Sequence, residues 1–397
     1  MVSATELTDV HIKIPLAMLS RHGLVAGATG TGKTKTLQLL AEQLSTHGVP
    51  VFAADIKCDL SGLSVPGEDN PKIAGRATSV GQDWKATGFP VEFFALGGEG
   101  TGIPLRATMS SFGPTLLSKV LGLNDTQESS LGLVFHYADK AGLPLLDLAD
   151  LRAVVQFLTS DEGKGDLKNL GGLSSATAGV ILRELIGFSD QGADAFFGDP
   201  EVDTGDFLRT TDDGAGLISL VELSNLQGRP AVFFVTQSPT DVPDEVLAQL
   251  GSRVQHQLRA HTPNDAKALK ATVNTYPHSA YADLGEVITS LGIGEAVVTV
   301  MNERGAPAPV AWTRLRAPES LMGTADAAAM ESQVLGSPLY AKYSEPLDRD
   351  SAREKLAAKL EAGAAAASRN RTSPSRRSTT RSSPSSRRRR AGSSATS

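Results

Sequence analysis

The sequence contains little of what marks several common classes of protein. It has one cysteine, Cys58, which excludes an internal disulfide framework and suits a reducing compartment. Its apolar runs are all far shorter than the ~20 residues that a membrane-spanning helix requires. The N-terminus also lacks a basic segment followed by a hydrophobic one. We therefore expect a cytoplasmic protein that has no membrane partner.

Metal-binding and base-stacking sites are also poorly supported. The single cysteine and the histidines do not follow any recognised zinc-ligand spacing, so we expect no zinc. Trp84 and Trp312 are isolated and lack the interleaved basic residues of a base-stacking platform. We interpret the histidines as ordinary structural residues; the seven stand at positions 11, 22, 47, 136, 256, 261 and 278.

The composition is typical of a globular α/β protein with one unusual end. Forty per cent of the residues are apolar, and 397 residues are enough for one large or two smaller domains. Residues 368–397 contain nine arginines and no acidic residue, so the rest of the chain carries about −15, nine units below the overall −6. An acidic body is not typical of a surface that coats DNA, although the sum does not exclude a local basic channel.

Hydrophobic periodicity predicts alternating strands and helices in the first hundred residues. Residues 24–26 and 49–54 form short apolar strands, and residues 33–47 between them have apolar side chains at helical spacing. Such a βαβ unit indicates a parallel sheet. Further strands are expected in four places, at residues 216–223, 231–236, 253–258 and 296–301.

The same patterns predict how the chain is divided. Residues 114–210 read as helices that interrupt the core, and residues 368–397 bury too little apolar surface to offset their ordering entropy. The predicted division is a nucleotide-binding core in two parts (1–113 and 211–325), a helical insertion (114–210), a helical extension (326–367) and a disordered tail (368–397).

One motif assigns chemistry to the first strand-to-helix connection. The segment fits G-x-x-x-x-G-K-[ST] at every fixed position, with the residues Gly27, Ala28, Thr29, Gly30, Thr31, Gly32, Lys33 and Thr34. Its glycines let successive N–H groups point at one anion, and the helix dipole adds positive potential. Lys33 is expected to bridge the β- and γ-phosphates, and the Thr34 hydroxyl to bind Mg²⁺. The alternative is a chance glycine-rich turn.

The nucleotide is expected to be ATP. Guanine specificity usually appears as [NT]-K-x-D, and residues 56–59 (Ile-Lys-Cys-Asp) have this spacing but the wrong first residue. Lys35, directly after the motif, is included among the predicted nucleotide-binding residues. The predicted cofactors are therefore ATP and Mg²⁺.

These residues resemble the HerA-like ATPases of the FtsK/HerA branch of P-loop motors. The resemblance lies in residues 21–26 leading into the motif and in the three segments Phe-Ala-Ala-Asp-Ile-Lys (52–57), Phe-Phe-Gly-Asp-Pro (196–200) and Val-Thr-Gln-Ser-Pro-Thr-Asp (235–241). It covers about residues 11–325. It implies an ATP-driven, commonly hexameric protein, and some members move DNA. Nucleic acid is therefore a candidate partner.

The resemblance also suggests roles for three further residues. It places Gln237 as a polar sensor of the γ-phosphate, with a strand-end polar residue as the alternative. Arg253 and Arg259 lie where related hexamers carry arginines that act on a neighbouring subunit's nucleotide. For each arginine the alternative is a surface or ion-paired side chain.

An expected acidic strand is missing from the sequence. P-loop ATPases normally have an apolar strand that ends in Asp-Glu, but neither Asp161-Glu162 nor Asp244-Glu245 ends a strand pattern. The family places this strand between segments that correspond here to 220–222 and 232–235, only nine residues apart. The resemblance thus implies an internal deletion, which puts hydrolysis in doubt.

Two strand-end acids are candidate substitutes. Asp55 is a predicted Mg²⁺ ligand and Glu222 a predicted catalytic residue, and for each the alternative is a carboxylate that caps a loop or helix. Cys58 stands where the family more often has glycine, and a reactive thiol there has no other support. We expect nucleotide binding to be retained even where catalysis is lost. The protein is then either a motor subunit with impaired hydrolysis or an assembly module that does not hydrolyse the nucleotide. A third hypothesis is a nucleic-acid tether through the arginine tail, for which the alternative is a solvated, phosphorylatable extension.

Overall fold

The computed structural model describes residues 10–19, 21–167, 171–223, 250–277 and 279–372, with only the backbone described for 366–372. All structural statements refer to these residues. The described strands are β1 Gly23–Ala26, β2 Val51–Asp55, β3 Val91–Leu96, β4 Ile103–Leu105, β5 Ile218–Glu222, β6 Ser252–Gln255, β7 Glu295–Thr299 and β8 Ala311–Arg314. The described helices are α1 Lys33–Thr46, α2 Pro71–Ser79, α3 Met109–Val120, α4 Asp125–Lys140, α5 Leu148–Thr159, α6 Ser175–Asp190, α7 Pro263–Asn274, α8 Leu284–Ser290, α9 Ala327–Gly336, α10 Pro338–Tyr343 and α11 Ala352–Thr372.

The described strands form two four-stranded sheets. One has the order β2-β5-β3-β4 and is entirely parallel, whereas the other has the order β1-β6-β7-β8 and is parallel only between β1 and β6. The predicted α/β fold with mainly parallel strands is thus confirmed. The strand predicted at 231–236 lies outside the described residues.

Three strands were not predicted from the sequence. β3 is buried along almost its whole length and pairs with strands on both sides, so it has no polar face to produce an alternating pattern. β4 and β8 have only three and four residues, which is too short for a clear period. The predicted strands at 24–26, 49–54, 216–223, 253–258 and 296–301 all appear, each within three residues of its expected ends.

Helices α3 to α6 pack into one apolar core of their own. Leu131, Leu151 and Ile181 are completely buried in it. Capping boxes formed by Asn124 and Asp147 define where α4 and α5 begin. These helices fall where the sequence predicts helical structure, and their treatment as a separate insertion stays a prediction.

The C-terminal helix α11 packs onto α5. Ala352 and Leu356 join the same apolar core, and the Ser351 hydroxyl donates a short hydrogen bond to Asp150. α11 continues to Thr372, five residues past the predicted end at Ala367. The first helix-breaking residue after α11 is Pro374, so nothing in the local sequence stops the helix earlier. No helix of the described residues is long and apolar enough to cross a membrane.

Candidate nucleotide-binding site

The glycine-rich motif forms a tight loop between β1 and α1. Gly32 is the N-cap of α1 and has φ of 113°, in the left-handed region that favours glycine. A Cβ atom on Gly27 would lie 2.5 Å from the Cβ of His256, so a larger residue does not fit there. Thr31 closes the turn, since its hydroxyl donates to the Ala28 carbonyl at 2.7 Å. The strand, loop and helix therefore have the order that a phosphate site requires.

Lys33 lies across the mouth of this loop. Its Nζ donates to the carbonyl oxygens of Gly27 (2.5 Å) and Ala28 (3.0 Å). Burial lowers the pKa of Lys33, and the nearby positive charge of Lys57 lowers it further. Lys57 is exposed on the loop after β2, so a second cation lies near the phosphate position. Thr34 is half-buried in the first turn of α1, as its predicted role requires.

The segment that follows β6 runs directly beneath the loop. Its backbone continues the β1–β6 pairing, because His256 N–H donates to Ala26 and Ala28 N–H donates to Gln257, both at 2.8 Å. The His256 side chain is completely buried, and burial is the main reason that its pKa falls to about 4. His256 is therefore neutral near pH 7. Nothing in the sequence separated it from the other six histidines.

The two candidate arginines have different environments. Arg253 donates to the carbonyl and hydroxyl oxygens of Thr275 at 2.8 and 2.7 Å, and its guanidinium lies 5.5 Å from the Tyr276 ring centroid. These hydrogen bonds and the cation–π contact hold Arg253 against residues of its own subunit, and the surface or ion-paired alternative stays untested. Arg259 is exposed and donates to the Thr29 carbonyl at 3.3 Å, so it lies beside the loop of its own subunit. A role of either arginine across a subunit interface stays a prediction.

The two strand-end acids lie side by side, but they are bonded differently. β2 and β5 pair in parallel with Asp55 opposite Glu222. The Asp55 carboxylate accepts hydrogen bonds from Lys57 N–H at 3.1 Å and Leu60 N–H at 2.6 Å, so it caps the loop after β2. This matches the alternative considered for Asp55, and its role as a magnesium ligand stays a prediction.

Glu222 caps no loop or helix among the described residues, which break off after Leu223. Its side chain is 6% exposed, and neither carboxylate oxygen accepts a hydrogen bond from a nitrogen or hydroxyl donor in the described part of the chain. Burial raises its pKa from 4.5 to about 7, and the negative charge of Asp55 adds to the effect. The Cys58 thiol, a weak donor, acts in the opposite direction. Glu222 is thus a buried carboxyl group that exchanges its proton near neutral pH.

Cys58 adopts a backbone conformation that is unfavourable for its side chain. Its φ of 57° makes it the one non-glycine residue with positive φ in the described structure. A residue with a Cβ pays roughly 1–2 kcal/mol for the left-handed conformation, whereas glycine does not. This cost gives a physical reason why glycine suits the position.

Helix α1 connects the phosphate loop to the acids. The Lys35 side chain donates to Gln38 Oε1 at 2.9 Å. Burial lowers the pKa of Lys35, while the negative charges of Asp59 and then Asp55 oppose that shift. Lys33 thus contacts the loop, whereas Lys35 lies near the acids. A nucleotide contact of Lys35 stays a prediction.

A family comparison agrees with this geometry. The model of the helicase HerA-like C-terminal family matches residues 2–233 and 230–396, which is almost the whole chain. This chain belongs to the HerA-like family. The two matched segments meet at 230–233, inside the undescribed stretch 224–249.

Solved structures of the plasmid coupling protein TrwB are more distantly similar to this HerA-like chain. A complex with the GTP analogue GDPNP shares 16% identity, covers 81% of this chain and 93% of its own, and has a TM-score of 0.47. A sulphate-containing form, TrwBdeltaN70, shares 16% identity, covers 81% of this chain and 92% of its own, and has a TM-score of 0.49. A complex with ADP and Mg²⁺ shares 16% identity, covers 80% of this chain and 92% of its own, and has a TM-score of 0.46. No curated protein matches the chain.

The remaining predicted residues of the HerA-like site divide in two groups. Gln237 and the pair Asp244-Glu245 lie outside the described residues. Asp161 follows α5 in an exposed turn, where it pairs with Lys164, so Asp161-Glu162 is not a strand-end acid pair. In the described ranges no three His, Cys, Asp or Glu side chains converge as metal ligands. Mg²⁺ is commonly held by one or two protein oxygens together with phosphates, so a site at Thr34 does not need such a cluster.

Proposed function

We propose that this HerA-like chain binds ATP with Mg²⁺ at residues 27–34. The observation that carries the proposal is the loop between β1 and α1, with Lys33 Nζ held 2.5 and 3.0 Å from two of its carbonyl oxygens. Lys33 would exchange these contacts for phosphate oxygens, and Thr34 would hold the ion. The N–H groups at the start of α1 would complete the phosphate contacts. ATP is favoured over GTP because the guanine motif is missing.

We further propose that hydrolysis is impaired. The family match divides at 230–233, where the sequence predicts a deletion of the acidic strand. Asp55 is occupied with two backbone N–H groups, whereas Glu222 is buried and accepts no hydrogen bond from a nitrogen or hydroxyl donor among the described residues. Glu222 is therefore the better candidate for a general base, since a pKa of about 7 suits proton transfer at neutral pH. Loss of a positioned base typically costs ~10²- to 10⁴-fold in rate.

Two functions are compatible with this site. The leading proposal is a cytoplasmic motor subunit, assembled as a hexameric ring and acting on DNA, with Gln237 as its sensor. The alternative is an assembly module that binds ATP without hydrolysing it. Asp55, which caps a loop instead of facing the phosphates freely, favours the alternative.

Affinity and turnover measured on the same protein separate the two. ATP affinity would be followed by calorimetry and phosphate release by a coupled assay, for the wild type and Glu222→Gln. Turnover that Glu222→Gln lowers at least tenfold, with unchanged affinity, supports the motor. Tight binding with turnover at the level of buffer supports the module. Absence of ATP binding by the wild type refutes the proposed function.

The arginine tail is proposed to contact nucleic acid through phosphates. Truncation after Thr372 leaves α11 complete and removes seven of the nine arginines. If the tail binds DNA, affinity should fall and its dependence on salt concentration should become shallower. Unchanged DNA affinity would end this part of the proposal.

A further inference from the structure

His256 fills the space beneath the phosphate loop. A Cβ on Gly27 would lie 2.5 Å from its Cβ, and a Cβ on Gly32 would lie 3.4 Å from its Cε1. The Cα and Cβ of His256 thus lie against Gly27, and its ring lies against Gly32. The shape of the loop is therefore coupled to the position of this ring.

The hydrogen bonds of the ring determine its tautomer. Nδ1 lies 3.1 Å from the Glu295 carbonyl oxygen, which can only accept, so Nδ1 carries the hydrogen. In the neutral ring Nε2 must then accept, and the hydroxyl of Thr36 donates to it at 2.7 Å, while the Gly32 carbonyl oxygen lies further from the same hydroxyl at 3.3 Å. Thr36 is buried in the first turn of α1. A single chain of hydrogen bonds therefore runs from β7 through His256 into the helix that begins at the loop.

The far end of this chain is also fixed. The Glu295 carboxylate accepts from Trp312 Nε1 at 3.1 Å and from Gly292 N–H at 3.0 Å. The β7–β8 pairing adds a contact with Arg314. The Glu295 carbonyl that orients the histidine thus belongs to a rigid strand.

From these contacts we infer that His256 is a positioning residue for the nucleotide. It holds the first turn of α1 through Thr36 and supports the loop beneath Gly27 and Gly32, so that their N–H groups converge on one phosphate position. It acts as a neutral Nδ1–H tautomer and does not touch the nucleotide. This inference rests on the proposed function, because it concerns the shape of the same ATP site.

The test removes one hydroxyl group without changing side-chain shape. Thr36→Val breaks the contact with Nε2, and Thr36→Ser keeps a hydroxyl there. Thr272→Val is the matched control, because the Thr272 hydroxyl is equally buried in α7 but has no hydrogen-bond partner in the described part of the chain. For each full-length variant, ATP affinity is measured by calorimetry and the unfolding temperature without nucleotide by circular dichroism.

We expect Thr36→Val to weaken ATP binding roughly tenfold, because loss of a buried hydrogen bond leaves the histidine nitrogen unsatisfied. Thr36→Ser should recover most of the affinity, and Thr272→Val should bind ATP like the wild type. His256→Gln gives a second line of evidence. Its amide oxygen can reach the Thr36 hydroxyl, so it should bind ATP more tightly than His256→Asn, whose shorter amide cannot.

Three outcomes overturn the inference. The first is ATP binding by folded Thr36→Val that equals the wild type, and the second is an equal loss of affinity in Thr272→Val, which would indicate a general packing effect. The third, should Thr36→Val not fold, is equal affinity of His256→Gln and His256→Asn. Wild-type protein that fails to bind ATP would refute the proposed function itself, whereas these outcomes refute only the role of His256.

Discussion

The two sides of the candidate site differ in how completely their polar groups are bonded. On the phosphate side, Lys33, Thr31 and His256 all have hydrogen-bond partners, and the loop backbone pairs with the segment after β6. On the acidic side, Glu222 is buried and accepts no hydrogen bond from a nitrogen or hydroxyl donor among the described residues, and Cys58 occupies a left-handed conformation. Within the described part of the chain, the loop side is thus the more completely bonded half of the candidate site.

This difference indicates how substitutions on each side of the site should affect the protein. The hydrogen bonds of the loop involve the segment after β6 and not the acids, so we expect that phosphate binding does not depend on Glu222 or Cys58. On the acidic side, a buried carboxyl group without a strong donor among the described residues and a positive φ both lower the free energy of unfolding. Substitutions that remove either feature can therefore raise it. We therefore expect substitutions on the phosphate side to weaken ATP binding and substitutions on the acidic side to raise the free energy of unfolding.

The largest expected effect comes from removing the cation at the loop. Lys33→Ala should weaken ATP binding roughly 100-fold, because a charged hydrogen-bond donor to phosphate is worth several kcal/mol when partly buried. Calorimetric titration with MgATP measures the change. Lys72→Ala on the exposed first turn of α2 is the control and should bind like the wild type. If both lysine variants lose affinity equally, the loop is not the site.

The next effect concerns stability on the acidic side. Because the pKa of Glu222 rises from 4.5 to about 7 on folding, the wild type loses stability as pH rises through this window. Glu222→Gln removes the ionisation, so above about pH 7 it should be more stable by on the order of 2 kcal/mol. The shift from 4.5 to about 7 corresponds to roughly 3.4 kcal/mol at ~1.36 kcal/mol per pKa unit, and the expected gain is smaller because the amide is also buried. Denaturant unfolding at about pH 5 and pH 8 tests this, and the gain should appear only at the higher pH.

Glu42→Gln is the matched comparison. Glu42 is also fully buried, but its two oxygens accept from the N–H groups of Glu319 and Ser320 and from the Ser320 hydroxyl. An amide there must turn an NH₂ group toward a donor, so this variant should lose stability. If both variants gained stability, or both lost it, the proposed contrast between the bonded carboxylate of Glu42 and the buried carboxylate of Glu222 would be contradicted.

The smallest expected effect separates backbone strain from the thiol. Cys58→Gly should raise the free energy of unfolding by about 0.5–1 kcal/mol, because glycine accepts a φ of 57° without strain but adds freedom to the unfolded chain. Cys58→Ala removes the thiol and keeps the strain, so it should show no gain. Equal stability of the two variants would mean that the backbone conformation costs little.

The phosphate loop was the most predictable part of the site. Its glycines, lysine and threonine lie within eight consecutive residues between a strand and a helix, so local rules suffice. His256 could not be predicted in the same way. It lies 220 positions from its partner Thr36, and its place beneath the loop exists only because β6 pairs with β1.

The acids were identified by position, but their chemical states were not. That each follows an apolar strand is visible in the sequence, and parallel pairing brings them together. Whether a strand-end carboxylate caps a loop depends on the path of the residues that follow it. Residues 57–60 turn back to Asp55, whereas the residues that directly follow Glu222 are described only as far as Leu223. Likewise, the short strands β4 and β8 exist through tertiary pairing and have little local signal.

The packing of α11 on α5 determines to which part of the protein the arginine-rich residues are attached. Leu356 of α11 packs in the same apolar core as α5, and the Lys359 ammonium lies 4.8 Å from the Phe157 ring centroid. At 1.5 Å per residue, Thr372 stands about 20 Å further along the helix axis than Lys359. The arginines that follow Thr372 in the sequence are therefore attached to the protein through α11 and its packing on α5.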